Sequence, residues 1–306
     1  MNVEMIPFEA AEPLLDWRAL CEALRAGHAL AKAEIDDTFL YRGNDTVLSR
    51  SAWIDGLGIA VKTATIFPGN AGSGKATING AVNLYGDDDG VLEAIVDFHL
   101  VTKWKTAGDS VLAASLLARR DSRCVLIIGA GNVAHALHDA YAAIIPNARF
   151  MVWNRSPDKA EAMAAKYSDT LVASDLETAV GLADIITVAT MSRDPVLRGD
   201  WLQPGQHVDL IGAYRPDMRE ADDSALRRAK IFVDNRDTVL EHIGELKDPI
   251  ARGVIDAGDV RGDFYDIESG GFARKSDDEI TLFKNGGGAH LDLMTSRYIL
   301  GKWRGR

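Results

Sequence analysis

A short glycine-containing stretch has the residue types and spacing needed to bind a phosphate. Gly129, Gly131 and Ala134 follow an apolar run at residues 124–128 in the pattern G-x-G-x-x-A. The first glycine permits a tight turn, the second lets a pyrophosphate approach the backbone, and the alanine keeps the next helix close to the strand. N–H groups at the start of that helix would bind phosphate oxygens, so the pattern predicts a dinucleotide-binding unit. The predicted cofactor contacts in this stretch are Gly129, Ala130, Gly131, Asn132, Val133 and Ala134.

The end of the next predicted strand, at residues 149–154, bears on which dinucleotide is bound. It reads Asn154, Arg155 and Ser156, without the carboxylate that usually binds a free ribose 2′-hydroxyl. The first acid is Asp158, which is typical of the first turn of a helix. Arg155 could bind a 2′-phosphate through its guanidinium group, and Ser156 could cap the following helix. The pattern therefore favours NADP(H), with NAD(H) as the alternative.

Strands and helices alternate through the middle of the chain. The predicted strands are 149–154, 170–173, 185–190, 206–212 and 230–234, and the predicted helices are 156–167, 176–181 and 222–229. This alternation is typical of a parallel, doubly wound sheet. Because ligands of such sheets lie at the carboxyl ends of strands, Thr190 and Met191 are predicted to line the cofactor crevice.

The remainder of the chain predicts a strand-rich domain. Extended segments are expected at 46–48, 58–65, 76–84 and 91–98, and helices at 13–32, at about 107–119 and at 289–303. A late strand at 279–284 falls within the predicted dinucleotide-binding domain. We therefore predict an α/β fold with two domains. A Rossmann-type NAD(P)-binding domain would span residues 117–287, and a strand-rich α+β domain for substrate binding and dimerisation would span 1–116 and 288–306.

Composition excludes several classes of protein. The chain has 306 residues, 26% of them charged and 47% hydrophobic, which is typical of a globular protein long enough for two domains. Its net charge of −11 argues against nucleic acid or an anionic membrane as partner, and no apolar run has membrane-spanning length. Two cysteines and no basic leader favour the cytoplasm. His135 and His138 have helical spacing but no third ligand, so no metal site is predicted.

Five further segments, in order along the chain, resemble segments of the ornithine cyclodeaminase/mu-crystallin family. They lie at 58–62 with 67–70, 105–107, 153–156, 212–220 and 281–284. The resemblance implies an NAD(P)-binding domain inserted in a substrate-binding domain that forms a homodimer. Members of this family include ornithine cyclodeaminase, ketimine and cyclic-imine reductases, and an alanine dehydrogenase. The implied substrate is a small amino or imino acid.

The resemblance also implies roles for cationic residues. Lys62 matches the family's active-site lysine and could bind the substrate carboxylate or pass a proton near the imine, although a lysine snorkelling from a strand end is the alternative. Lys105 matches the family's carboxylate-binding arginine, but a lysine cannot form the bidentate fork. Arg50, on the strand before Lys62, could restore that fork or be a surface residue. Arg42 is a weaker candidate from the loop before.

Tyr214 stands where ornithine cyclodeaminases carry an acid/base aspartate. Its presence argues against full cyclodeamination and favours a reductase, which needs only hydride delivery to a C=N bond and a proton for nitrogen. The sequence therefore predicts NADPH-dependent reduction of a small imino acid, such as Δ1-pyrroline-2-carboxylate or Δ1-piperideine-2-carboxylate. Two alternatives stay open: ornithine cyclodeaminase itself, an ammonia-lyase using NAD, and a non-catalytic NADP-binding protein of crystallin type.

Overall fold

The computed structural model describes residues 3–306, which fall into two compact units. The first comprises the chain up to Lys105 together with Gly287–Arg306, and the second comprises Thr106–Gly286. The division after Lys105 lies inside a long helix, whereas the sequence placed the domain boundary near the end of that helix.

The strands and helices are numbered in chain order. The strands are β1 Glu4–Ile6, β2 Glu34–Arg42, β3 Asp45–Ile54, β4 Gly58–Ile66, β5 Ile78–Tyr85, β6 Leu92–Asp97, β7 Cys124–Ile128, β8 Arg149–Trp153, β9 Thr170–Val172, β10 Ile185–Val188, β11 His207–Leu210, β12 Lys230–Val233, β13 Val260–Gly262 and β14 Thr281–Lys284. The helices are α1 Phe8–Ala11, α2 Trp17–His28, α3 Phe98–Leu117, α4 Asn132–Ile144, α5 Pro157–Ala164, α6 Leu176–Leu182, α7 Asp223–Arg228, α8 Arg236–Val239, α9 Gly244–Ala251 and α10 Ala289–Arg304.

The first unit contains a six-stranded sheet in the order β1-β6-β5-β4-β3-β2. Its strands pair antiparallel except β1 with β6, which are parallel. Helix α10 packs against β3, β4 and α2. Its buried side chains include Leu291, Leu293 and Ile299, so this helix supplies much of the core of the unit.

The second unit contains an eight-stranded sheet in the order β13-β12-β14-β11-β10-β7-β8-β9, and all its pairs are parallel. Strand β7 is buried almost throughout, as are β10, β11 and β14. Strands β7 and β10 are apolar apart from Thr187, whereas β11 and β14 also contain buried polar residues. The predicted α/β fold, with a doubly wound parallel sheet and a separate strand-rich unit, is confirmed.

Two elements near the candidate site differ from the sequence prediction. Strand β2 was not predicted, because Glu34, Asp36 and Asp37 are uncommon in strands. Helix α3 begins at Phe98 instead of about residue 107. Its first turn is capped by Asp97, whose Oδ1 accepts the N–H groups of residues 99 and 100 at 2.8 and 2.9 Å. Lys105 is therefore a helical residue.

Within residues 3–306, none of the helices combines the length and the apolarity required to cross a membrane. In the same range, no group of three or more His, Cys, Asp or Glu side chains is arranged to hold a metal ion.

Candidate active site

Three charged side chains occupy one row across neighbouring strands of the first unit. Asp37 of β2 pairs directly with Arg50 of β3, which pairs directly with Lys62 of β4. Alternate residues of a strand point to the same face, so Lys62 shares its face with the buried Ala60 and Ala64. The row thus places two cations and one carboxylate on the sheet face that α10 covers.

Asp292, in the first turn of α10, joins the cations into one cluster. Its Oδ1 lies 2.9 Å from Lys62 Nζ, and its Oδ2 lies 3.1 Å from Lys105 Nζ and 4.0 Å from Arg50 Nη1. Lys62 and Lys105 are each 5% exposed and Asp292 is 1% exposed. We call Arg50, Lys62, Lys105 and Asp292 the cationic cluster. Buried lysines require a partner of this kind, because an unpaired buried charge is strongly unfavourable.

The ammonium group of Lys62 is held from three directions. Besides its bond to Asp292, it donates to the hydroxyl of Thr102 at 2.9 Å and lies 4.5 Å from the ring centre of Phe98. Burial lowers the pKa of Lys62, and the charge of Asp292 opposes that effect. A lysine with a lowered pKa can give up its proton more readily than one at the surface.

Lys105 lies one helical turn after Thr102 on α3. Its Nζ donates to the carbonyl of Gly287 at 2.7 Å as well as to Asp292. Burial lowers the pKa of Lys105 to about 7, with Asp292 opposing and Lys62 adding to the shift. Burial would raise the pKa of Asp292, but the three surrounding cations hold it at about 2. Asp292 is therefore ionised at neutral pH, whereas Lys105 is close to its titration point.

The guanidinium fork of Arg50 is engaged within the protein. Its Nη2 and Nε donate to the two oxygens of Asp37 at 2.6 and 3.2 Å, and its Nη1 donates to the Gly287 carbonyl at 2.9 Å. From its place in the sequence, Arg50 is expected either to replace the missing bidentate fork or to be a surface residue. In the structure that fork faces Asp37, so a substrate carboxylate would meet Arg50 through its charge or by displacing Asp37. Arg42 ends β2, instead of lying in a loop; it is highly exposed and pairs with Asp45.

The charges of this region suit a small monoanion. Arg50, Lys62 and Lys105 lie against the carboxylates of Asp37 and Asp292, and these five groups together carry one net positive charge when both lysines are protonated. A substrate with one carboxylate would neutralise that charge. The two lysines also hold acidic protons, so the cluster can both bind a carboxylate and supply a proton beside it.

The glycine turn of the second unit has the geometry that a dinucleotide requires. Gly129 has a φ of +122°, and a Cβ there would lie 2.5 Å from the carbonyl oxygen of Ala189, so only glycine fits. At Gly131, the N-cap of α4, a Cβ would meet no atom within 4 Å, and no side chain caps the helix. The buried Ala134 lies in the first turn of α4. Open space over the start of a 13-residue helix fits a pyrophosphate.

The other predicted cofactor residues lie at the carboxyl ends of β8 and β10. Arg155 is exposed after β8. Ser156 is the N-cap of α5, but its side chain makes no capping hydrogen bond, contrary to the sequence expectation. Instead, the amide of Asn154 donates to its carbonyl at 3.0 Å. After β10, Thr190 is half-buried and Met191 is 80% exposed. In the glycine turn after β7, Gly131, Asn132 and Val133 are exposed and Ala130 is half-buried.

Sequence reasoning missed Asp292 and Asp37, the two carboxylates that organise the cationic cluster. One signal was available for Asp292: it is an acid between two leucines near the start of a helix that otherwise reads as core. Such a residue is either exposed or paired with a buried cation. Asp37 gave no comparable signal, because its strand was not predicted.

Two further polar residues, Tyr214 and His290, differ in their exposure. Tyr214 is 61% exposed in the turn after β11. The neighbouring carboxylate of Asp217 contacts Arg215 and Arg193 at 3.0 and 3.4 Å, so it is already paired with cations. His290 is fully buried and packs edge-on against His28, with ring centres 5.3 Å apart. Burial lowers the pKa of His290 well below its usual value, which makes it a neutral core residue.

A parallel sheet with this glycine turn is typical of dinucleotide-dependent enzymes, and a buried cluster of cations is able to bind a small acid. Comparison with known proteins identifies the family within that class. The sequence model of the ornithine cyclodeaminase/mu-crystallin family matches residues 53–306, and the chain belongs to this family.

Similar proteins agree with that assignment. The Delta(1)-pyrroline-2-carboxylate reductase of Paracoccus denitrificans is 54% identical over 302 residues, covering 97% of this chain and 96% of that protein. Among solved structures, Thermococcus litoralis Delta(1)-pyrroline-2-carboxylate reductase in complex with NADH and L-proline is 26% identical with a TM-score of 0.90, covering 99% and 98% of the two chains. An archaeal alanine dehydrogenase dimer with bound NAD is 25% identical with a TM-score of 0.91, covering 100% and 97%.

Proposed function

We propose that this chain is an oxidoreductase that reduces the C=N bond of a small cyclic imino acid, such as Δ1-pyrroline-2-carboxylate or Δ1-piperideine-2-carboxylate. The observation that carries the proposal is the buried cationic cluster, which together with Asp37 has one net positive charge when both lysines are protonated, matching one substrate carboxylate. The 54% identity to a pyrroline-2-carboxylate reductase supports the same substrate class. Tyr214, in place of the aspartate of the cyclodeaminases, supports reduction without deamination.

In this proposal the lysines bind and protonate the substrate. Lys105 and Lys62 orient the carboxylate, and Arg50 adds charge from the next strand. The dinucleotide, when bound, supplies the hydride that adds to the carbon of the C=N bond. Lys62 supplies the proton for nitrogen whenever the imine arrives unprotonated, and Asp292 then stabilises the reprotonated ammonium. One hydride and one proton are consumed for each amine formed.

The proposal extends to the cofactor and its contacts. Gly129 to Ala134 would hold the pyrophosphate, and Asn154, Arg155 and Ser156 would surround the adenosine ribose. Thr190 and Met191 would line the crevice. These residues are compatible with NADH and with NADPH. Arg155 is exposed at the end of β8, where no carboxylate adjoins it, and this favours NADPH.

We expect the Arg155→Ala variant to raise KM for NADPH by about tenfold or more, because a charge-assisted bond to a phosphate contributes roughly 1.5–3 kcal/mol. KM for NADH should change less than twofold. Steady-state kinetics with both cofactors measure this difference. Arg149→Ala, at the opposite end of the same strand, is the matched control and should leave both constants unchanged. Equal effects of Arg155→Ala on the two cofactors would contradict the assignment.

The proposal also covers assembly and location. We propose a homodimer formed through the first unit, as the family resemblance implies and as the archaeal dimer supports. A cytoplasmic location accords with the two cysteines, Cys21 and Cys124, which form no disulfide. In this view the first unit binds the substrate and the second unit binds the cofactor.

The reaction itself is tested by assaying both cyclic imino acids with NADPH and with NADH. We expect oxidation of the cofactor and formation of the cyclic amino acid in equal amounts. Incubation with ornithine and catalytic NAD⁺ provides the discriminating arm. Release of ammonia and proline without net cofactor use would identify a cyclodeaminase, whereas cofactor binding without any turnover would identify a non-catalytic protein.

The pKa of Lys105 predicts how substrate affinity depends on pH. At a pKa of about 7, Lys105 is protonated below neutrality and neutral above it, and only the protonated form attracts a carboxylate. Affinity should therefore be full below pH 7 and fall by up to about tenfold per unit above it. Binding of L-proline between pH 6 and 9 measures the trend. Lys105→Arg keeps its charge throughout this range and should flatten it; an unchanged slope would show that another group titrates.

A further inference from the structure

The carboxylate of Glu220 joins the turns that follow two neighbouring strands of the second unit. Thr190 follows β10 and Gly212 follows β11, and these strands pair in parallel. Oε1 of Glu220 accepts the N–H and the hydroxyl of Thr190 at 2.7 and 2.9 Å. Oε2 accepts the N–H groups of Gly212 and Ala213 at 2.6 and 3.3 Å. Glu220 is fully buried, so one side chain fixes the geometry of both turns.

Glu220 is itself held in place by buried charges. The carboxylate of Glu245 accepts the N–H groups of Glu220 and Ala221 at 2.7 and 3.0 Å. Lys284, also fully buried, donates to the carbonyl of Leu210 at 2.9 Å and attracts both carboxylates. Burial raises the pKa of Glu220 to about 8, while Lys284 and the Thr190 bonds act in the opposite direction. Three of the four groups around the carboxylate are backbone N–H donors, which cannot accept a hydrogen bond, so the network opposes the effect of burial on this pKa.

The turns that Glu220 joins approach each other too closely for larger residues. A Cβ at Gly212 would lie 1.7 Å from the carbonyl oxygen of Thr190. Ala189, the residue before Thr190, approaches the glycine turn as well, since a Cβ at Gly129 would lie 2.5 Å from the carbonyl oxygen of Ala189. The turns after β7, β10 and β11 therefore form one packed surface, and a change at Glu220 would be transmitted to it.

The order of strands assigns this surface to one half of a dinucleotide. Chain order reverses between β7 and β10, since β8 and β9 lie on one side and β11 on the other. Dinucleotides lie across such a switch point, with the adenosine ribose at the end of the strand after the glycine turn, here β8. The nicotinamide nucleotide then lies over the turns after β10 and β11.

We propose that Glu220 is a positioning residue for the nicotinamide half of the cofactor. It acts through Thr190 and Gly212 and needs no contact with the cofactor itself. The inference rests on the dinucleotide binding of the proposed function, but not on the identity of the imino acid.

The test compares two ligands in the Glu220→Gln variant of the full chain. NADH carries the nicotinamide, whereas ADP-ribose shares only the adenosine and the pyrophosphate. The glutamine places an amide donor against a backbone donor, which should displace one of the two turns. We expect the dissociation constant of NADH to rise at least tenfold and that of ADP-ribose to stay within twofold. A merely structural role would weaken both ligands alike, and unchanged NADH binding would also overturn the inference.

Two further variants complete the experiment. Glu245→Gln leaves the carboxylate of Glu220 intact but weakens the hydrogen bonds to its backbone. It should therefore raise the dissociation constant of NADH by a smaller factor and leave that of ADP-ribose unchanged. This variant decides the question if Glu220→Gln does not fold. Asp175→Asn removes an exposed capping carboxylate of α6, which accepts the N–H of Thr178 at 2.8 Å, and should change neither ligand. Wild-type protein that binds NADH but reduces no imino acid contradicts the proposed function alone, whereas failure to bind either ligand contradicts both.

Discussion

Replacing Lys62 with methionine is expected to lower kcat/KM for the cyclic imino acid by about 10³-fold, since removal of an acid–base group typically costs 10²–10⁴-fold. Methionine has a similar length and is compatible with a site that is 5% exposed, so the fold should be retained. The variant lacks the proton donor near the imine and one of the positive charges that face the substrate carboxylate. Steady-state assays with saturating cofactor measure the effect.

The kinetic constants should separate the two roles of Lys62. Loss of carboxylate binding raises KM, whereas loss of the proton lowers kcat and makes the remaining rate depend on imine that is already protonated. The remaining activity should consequently increase toward acid pH. Binding of the dinucleotide should be unaffected.

Lys103→Met is the matched control for Lys62→Met. Lys103 is also a lysine of the first unit, but it pairs with Glu12 at 2.6 Å and is partly exposed. Its replacement should leave kcat/KM within twofold. If Lys62→Met is folded and retains more than a tenth of the wild-type kcat/KM, the cationic cluster is not the active site.

The parts of the protein that the sequence predicted well are those encoded by contiguous residues. The glycine turn at Gly129 is preceded by its strand and followed by its helix, so the local pattern contains the whole motif. The parallel strands of the second unit other than β13 were also predicted, because each is a short segment rich in apolar residues that lies between turns. Their ends were usually one to three residues too long, since strand ends carry no distinct chemical signal.

The parts that were missed depend on distant residues or on an unusual environment. Lys62 and Asp292 are 230 residues apart, and neither side chain alone indicates the pairing. The first turns of α3 are apolar on several sides because both faces of that helix are buried, so the amphipathic pattern of a surface helix is absent. Strand β2 contains acids, and Asp37 among them binds Arg50. Site residues could thus be nominated from sequence, but their partners required the fold.

Replacing Asp292 with asparagine should destabilise the protein by about 3–5 kcal/mol at neutral pH, the usual effect of removing one partner from a buried ion pair. Lys62 and Lys105 would then be buried near each other and near Arg50 without the carboxylate that separates them. Their pKa values would fall further below those in the wild-type protein. Urea unfolding of the two proteins measures the difference.

The pH dependence and a second substitution identify the cause of this loss. A lysine with a lowered pKa in the folded state binds fewer protons than when unfolded, so stability rises with pH above the folded pKa, here about 7 for Lys105. Because the lysine pKa values fall further in the variant, its lysines lose their protons at a lower pH than those of the wild-type protein. The deficit of Asp292→Asn should therefore shrink as pH rises from about 5 to the folded pKa of about 7 for Lys105, and it should change little above that pH. Adding Lys105→Met should recover part of the stability, because it removes one of the unpaired charges. A deficit below about 1 kcal/mol, or one that neither pH nor Lys105→Met changes, would mean that Asp292 does not balance the lysines.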